Sequence, residues 1–221
     1  MTTPEWPEPD PEDELGLVAL DYNLAPARIV SAYRQGIFPW PDAEAHRPIP
    51  WVCPPRRAIL EFDSLHVPKS LRKAQRALGP RLRFTIDRDF EAVIRACAAA
   101  PRPGQGGTWI GPAMIAAYVE VHRLGHAHSI EAWEGDTLVG GLYGVSAAGV
   151  FTGESMFHRI GDASKLCVLH LIEHLRARGS TWIDIQQLTP HFAVLGAREI
   201  AREDFLVRLA AERAAGRVLF P

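Results

Sequence analysis

A chain of 221 residues, 47% apolar and 23% charged, can build a sizeable core, and its formal charge of -2 argues against a generally basic nucleic-acid-binding surface. No apolar run approaches a membrane span and no basic-then-apolar leader opens the chain, so a cytoplasmic protein outside the membrane is expected. Cys53, Cys97 and Cys167 stand far apart, which argues against a disulfide framework or a zinc knuckle and suits a reducing compartment.

The chain opens on an acidic arm: residues 1–14 hold six acids (Glu5, Glu8, Asp10, Glu12, Asp13, Glu14) and no base, a composition expected to be disordered. "LAPARIVSAY" (24–33) predicts a helix with proline in its first turn, ended by Gly36. From Phe38 to Arg57 six prolines (Pro39, Pro41, Pro48, Pro50, Pro54, Pro55) predict loop. A change of texture follows, so a small N-terminal domain (1–58) and a larger one (59–221) are expected.

In the second part "AILEF" predicts a strand, "KSLRKAQRAL" a helix, "RLRFTID" a strand and "FEAVIRACAAA" a helix. A further helix runs over 112–124 with Gly125 as its stop. "AHSIEAWEG", "TLVGGLYGVSAA" and "GVFTGESMF", joined by "EGDT" and "SAAGV", predict an antiparallel meander. A helix over 164–178, the strand "TWIDIQQL" and a final helix from near Arg202 complete the order. The class is α/β (α+β), with a mainly antiparallel sheet flanked by helices in the order of an acetyltransferase-like (GNAT) core. In such a core neighbouring strands splay to make a ligand cleft.

Four features bear on chemistry. Glu154 sits alone among apolar neighbours in "FTGESMF"; alternation puts it on one face with Thr152 and Met156, and Phe151, Ser155 and Phe157 on the other. Alternation in "WIDIQQ" likewise pairs Asp184 with Gln186, and if the sheet joins the strands the three make one polar cluster. His122, His126 and His128 lack a cysteine or a well-placed acid and read as packing or hydrogen-bonding groups rather than zinc ligands. Residues 66–83 hold six bases and no acid, which fits phosphate contact and a solvated helix face about equally.

"YRQGIFPW", "TWI", "AYVEVHRLGHAHSIEAW", "LVGGLYGV", "GESMF", "ASK", "IDIQ" and "LGAREIAREDF" occur in this order and spacing. Together, over 15–209, they resemble the bacterial leucyl/phenylalanyl-tRNA–protein transferases. The resemblance implies an aminoacyltransferase without cofactor or metal. It would move Leu or Phe, with Met as a third candidate donor, from aminoacyl-tRNA to the α-amino group of proteins with N-terminal Arg or Lys, marking them for degradation. It also implies a small N-terminal domain joined to a GNAT-like one, and a monomer is expected. The chain departs from the family's usual pattern at Val52, Cys53, His158 and Ile185.

Residue by residue, the resemblance implies Asp184, Gln186 and Glu154 as catalytic groups. It implies Leu142, Phe151, Met156, Val168, Leu171 and Ile183 as the aminoacyl pocket. Tyr33, Trp51, Trp109 and Tyr118 would meet the terminal adenosine, and Lys69, Arg72, Lys73 and Arg76, one helical stripe, would meet tRNA phosphates. Two other readings compete. An acetyl-CoA-dependent acyltransferase needs a phosphate loop where the chain offers only "RIGDAS"; a non-catalytic RNA-binding module leaves Asp184 and Gln186 unexplained.

Overall fold

The computed structural model describes residues 6–10, 13–41, 47–101 and 108–221. Its first part holds strand β1 (Leu17–Asp21), helix α1 (Pro26–Tyr33) and strands β2 (Phe38–Pro39) and β3 (Ile49–Val52). β3 lies between the other two in a three-stranded antiparallel sheet. The prolines that suggested loop are accommodated because β2 is a short edge strand and Pro50 uses its carbonyl, accepting from Trp40 N at 2.7 Å. Part of the acidic arm, residues 1–5 and 11–12, lies outside the described residues. Trp6 corrects the expectation of disorder for its own stretch: it is buried, its ring 5.0 Å from that of Trp51 and its indole N–H donating to Ser31 Oγ at 3.2 Å.

The larger part contains β4 (Arg56–Glu61), α2 (Lys69–Leu78), β5 (Leu82–Ile86), α3 (Phe90–Ala99) and α4 (Pro112–Arg123). The meander β6 (Ala127–Glu134), β7 (Thr137–Ala147) and β8 (Val150–His158) follows, then α5 (Ala163–Arg176), β9 (Trp182–Gln186), α6 (Pro190–Ala193), β10 (Arg198–Ala201) and α7 (Arg202–Ala215). The expected boundary at residue 58 falls inside β4.

The seven strands are ordered β10-β4-β9-β8-β7-β6-β5, all antiparallel except β8 beside β9. β6 and β7 are buried along almost their whole length, as strands covered on both faces must be. One face carries α1, α3, α4 and the small sheet in a single apolar cluster. The other carries α2 and α5, and nine of α5's fourteen residues are buried. α7 closes the β10-β4-β9 end, its Phe205 and Leu209 packed with Ile59, Trp182 and Ile200.

Candidate active site

Two irregularities of the sheet aim the polar residues. In β8, Ser155 faces Tyr143 and Gly153 faces Gly144, so Glu154 is an extra residue on a bulge. Unbroken alternation is thereby corrected: Phe151 lies in the α5-side cluster and Phe157 in the opposite one, although their spacing predicts a shared face. Gly144 permits the bulge, because a Cβ there would lie 2.2 Å from Thr152 O. In β9, Gln186 faces Ala58 and Asp184 faces Ile59, leaving Ile185 as the extra residue, and Gln186 takes the left-handed φ of 62°. Parallel pairing of β8 with β9 is confined to Thr152 opposite Asp184, so the strands part where Glu154 and Gln186 follow.

Two of the three expected catalytic side chains, Glu154 and Gln186, meet across that opening. Gln186 Nε2 donates to Glu154 Oε1 at 2.6 Å, and Tyr33 Oη donates to the same oxygen at 2.7 Å. Tyr118 Oη lies 2.7 Å from Tyr33 Oη and 3.4 Å from Glu154 Oε2. Tyr33, donating to Glu154 Oε1, can accept from Tyr118, whose single proton is shared between the Tyr33 hydroxyl and the longer contact to Glu154 Oε2. With one Nε2 hydrogen donated to Glu154, the Gln186 amide keeps its carbonyl Oε1 as an open acceptor among the described residues.

Asp184 faces another way. Oδ1 accepts from Arg57 Nε at 2.8 Å and Oδ2 from Arg57 Nη2 at 2.6 Å, a bidentate pair in which both residues are 1% exposed. Thr152 Oγ1 donates to Oδ2 at 3.0 Å, and the backbone N–H of Gln186 donates to Oδ1 at 2.9 Å. The aspartate therefore holds the main chain of Gln186 rather than its side-chain amide. Its negative charge is matched by Arg57, so it is not the cleft-facing anion that a carboxylate on a wet strand would be. Arg57 is the residue of this cluster that the sequence did not mark out; the available signal was a basic residue opening the apolar run "RAIL".

Burial raises the Glu154 carboxyl to about 7; the nearby Asp184 adds to this, while the Tyr33 and Tyr118 hydrogen bonds and Arg57 oppose it. Burial and then the Glu154 charge push both phenols well above 10, so they remain neutral donors.

The other expected residues divide. Leu142, Phe151, Val168, Leu171 and Ile183 are buried in the α5-side cluster, and half-buried Met156 packs against it. Tyr33 and Tyr118 are buried beneath Glu154, and Trp51 is 0% exposed with Nε1 donating to Asp21 Oδ1 at 3.2 Å. None of these three offers a ring face for a nucleobase, which corrects that expectation: their polar atoms are engaged inward. Trp109 is half-buried, and Trp40, in the turn after β2, is 38% exposed. Lys69, Arg72, Lys73 and Arg76 are exposed along α2, and no carboxylate pairs with them among the described residues. Asp87 is the acid that the sequence did not reveal beside His122 and His128. Its oxygens are engaged, Oδ2 with His128 Nδ1 at 2.6 Å and Oδ1 with Ser129 N at 2.8 Å, so the cluster reads as a hydrogen-bonded latch.

The chain is similar to known proteins along most of its length. Residues 59–210 match the family model "Leucyl/phenylalanyl-tRNA protein transferase", and residues 22–55 match that of its N-terminal domain. A leucyl/phenylalanyl-tRNA–protein transferase of Anaeromyxobacter sp. (strain K) is 50% identical over 207 residues, 94% of this chain and 87% of that protein. The one of Nitratidesulfovibrio vulgaris (strain DP4) is 49% identical over 194 residues, 88% and 81% of the two chains. The structure of L-PGS from Bacillus licheniformis superposes with a TM-score of 0.43 at 14% identity, covering 61% of this chain and 48% of that one.

Proposed function

The chain belongs to the leucyl/phenylalanyl-tRNA–protein transferase family, and on that premise we propose that the Glu154–Gln186 pair carries out the transfer. The enzyme moves an aminoacyl group from tRNA to protein. The aminoacyl ester is already activated, so the reaction needs a positioned amine and a destination for its proton. The acceptor's amine nitrogen bonds to the ester carbonyl carbon, the carbon–oxygen bond to the ribose breaks, and the amine's proton ends on the departing ribose hydroxyl.

The observation that carries this reading is the 2.6 Å bond from Gln186 Nε2 to Glu154, which leaves Gln186 Oε1 to accept from the incoming amine. Glu154, with its carboxyl near 7, takes the proton and returns it to the leaving oxygen. Asp184 acts from behind, through the main chain of Gln186. The acceptors are proteins with N-terminal Arg or Lys: with Asp184 neutralised by Arg57, Glu154 is the anion that attracts their cationic side chain. Addition of Leu or Phe marks those proteins for degradation in the cytoplasm. Among the described residues no helix is long and apolar enough to cross a membrane.

The α5-side cluster around Met156 takes the Leu or Phe side chain, Trp40 and Trp109 serve the CCA end, and the α2 stripe meets the acceptor stem. The small sheet acts as a substrate-facing domain, and the chain works as a monomer. Incubation with Phe-tRNA and peptides opening on Arg, Lys, Glu or acetylated Arg tests this reading. Phe-peptide is expected with the free basic N-termini alone. Tight tRNA binding without any Phe-peptide would reduce the protein to an RNA-binding module.

A further inference from the structure

Arg57 is buried, yet it touches neither the opening between β8 and β9 nor Glu154 by any hydrogen bond. A guanidinium in that position needs every donor direction occupied or covered. Two N–H groups go to Asp184, and Nη1 donates to the carbonyl oxygen of Gly36 at 3.0 Å. The rings of Phe38 and Phe205 lie 4.5 and 4.6 Å from the guanidinium carbon. Gly36 and Phe38 belong to the segment after α1, Phe205 to α7 and Asp184 to β9, so one side chain ties three separate parts of the fold. Gly36 itself tolerates no side chain: its φ is +76°, and a Cβ would lie 2.8 Å from the Phe205 ring.

The next link runs through Asp184. Its Oδ1 accepts the backbone N–H of Gln186, a residue whose left-handed conformation is costly for anything but glycine and must be held by its surroundings. We propose that Arg57 is a positioning residue of the transfer reaction: its fork fixes Asp184, Asp184 fixes the Gln186 backbone, and the Gln186 amide oxygen is thereby aimed at the acceptor amine. The bond to Gly36 and the Phe38 ring anchor the guanidinium from a second segment, so the fork that holds Asp184 is itself fixed. A lysine carries the charge but cannot make two parallel bonds to the carboxylate while reaching the Gly36 carbonyl.

The inference rests on the transferase reading for its kinetics, and one readout is independent of activity. In Arg57→Lys, kcat for Phe transfer to an Arg-peptide is expected to fall roughly 10-fold or more with KM for Phe-tRNA nearly unchanged. On an Asp184→Asn background the same substitution should add little, because both act on one link. Hydrogen exchange at the Gln186 backbone amide, followed by NMR, should speed up roughly 10-fold or more. Should Arg57→Lys not fold, Phe38→Leu, which keeps the ion pair and removes one ring from it, should show the same changes in smaller measure. Wild-type kcat with unaltered Gln186 exchange, or losses that add fully to those of Asp184→Asn, overturns the proposal. A wild-type protein that makes no Phe-peptide sinks the transferase reading instead, and the exchange experiment still decides whether Arg57 governs Gln186.

Discussion

Gln186 and Glu154 share a 2.6 Å hydrogen bond from amide nitrogen to carboxylate oxygen, which leaves the amide oxygen as an open acceptor of the pair. In the proposed mechanism the carboxylate has to be ionised to hold the amide and also take a proton, and burial raises its pKa to about 7. The wild-type transfer rate should therefore climb as pH passes about 7. Glu154→Gln should lower turnover by roughly 10² and keep only the rise due to the acceptor amine, near pH 8. A wild-type to variant rate ratio independent of pH would remove Glu154 from the proton path.

The same carboxyl makes stability depend on pH with a definite sign. Its folded pKa is raised from 4.5 to about 7, so the fold favours the protonated form. The stabilisation is complete below 4.5 and is lost as pH rises through about 7. Melting temperatures across pH 4–8 should show the wild type declining relative to Glu154→Gln, by the linkage of about one proton. A wild type that gains on the variant over that range contradicts the assignment.

Asp184→Asn tests stability as well as the proposed positioning of Gln186. A polar residue on a cleft face would be expected to contribute little to the fold, but Asp184 balances a buried guanidinium. Removing one partner of such a pair leaves an uncompensated buried charge and costs about 3 kcal/mol. For a chain of this length the melting temperature should drop by roughly 6–12 °C. An unchanged melting temperature would mean that the variant does not leave Arg57 as an uncompensated buried charge.

Periodicity located the elements of the larger part because their patterns are long: "KSLRKAQRAL" corresponds to α2 (Lys69–Leu78) and "FEAVIRACAAA" to α3 (Phe90–Ala99) within a residue. It missed β1, β2, β3 and β10, which are too short to show a period, and two of them contain proline. Glu154, Asp184 and Gln186 were legible as polar residues in apolar strands. Their directions were not, because bulges at Glu154 and Ile185 shift the alternation and no local signal announces a bulge. Arg57 was hidden by its setting beside Arg56 and two prolines, where arginine is ordinarily solvated. Trp40 and Trp51 look alike in sequence; only the small sheet decides that one is open and the other sealed.

That difference separates two tryptophan variants. Trp51 is fully buried against Trp6, so Trp51→Ala should cost about 3–5 kcal/mol of stability. Trp40 is 38% exposed, so Trp40→Ala should leave the fold nearly as stable. If its ring carries a base of the CCA end, the KM for Phe-tRNA should rise by roughly 5- to 100-fold, the effect of unstacking one base. Loss of binding in Trp51→Ala at full stability, with Trp40→Ala normal, would reverse the two roles.

The basic stripe on α2 gives a test that leaves the cleft untouched. Leu71 is the buried residue of that helix, and it anchors α2 in the cluster that holds Phe151 and Ile183. The four cations therefore lie on the outer surface of the layer covering the α5-side cluster, where the aminoacyl group is proposed to sit. Arg72 spends its Nε on the Val67 carbonyl oxygen at 3.0 Å, which orders the guanidinium and leaves its charge exposed. A ridge at that position serves only a substrate long enough to reach it. Whole aminoacyl-tRNA carries phosphates beyond its CCA end, whereas an aminoacyl-adenosine analogue has none. Arg72→Glu combined with Arg76→Glu should raise KM for Phe-tRNA and leave use of the analogue nearly unchanged. The dependence of tRNA affinity on salt should flatten by about one unit of slope for each phosphate that the ridge no longer neutralises. Equal defects on both substrates would indicate damage to the fold through Leu71, and no defect on either would make the stripe an ordinary solvated helix face.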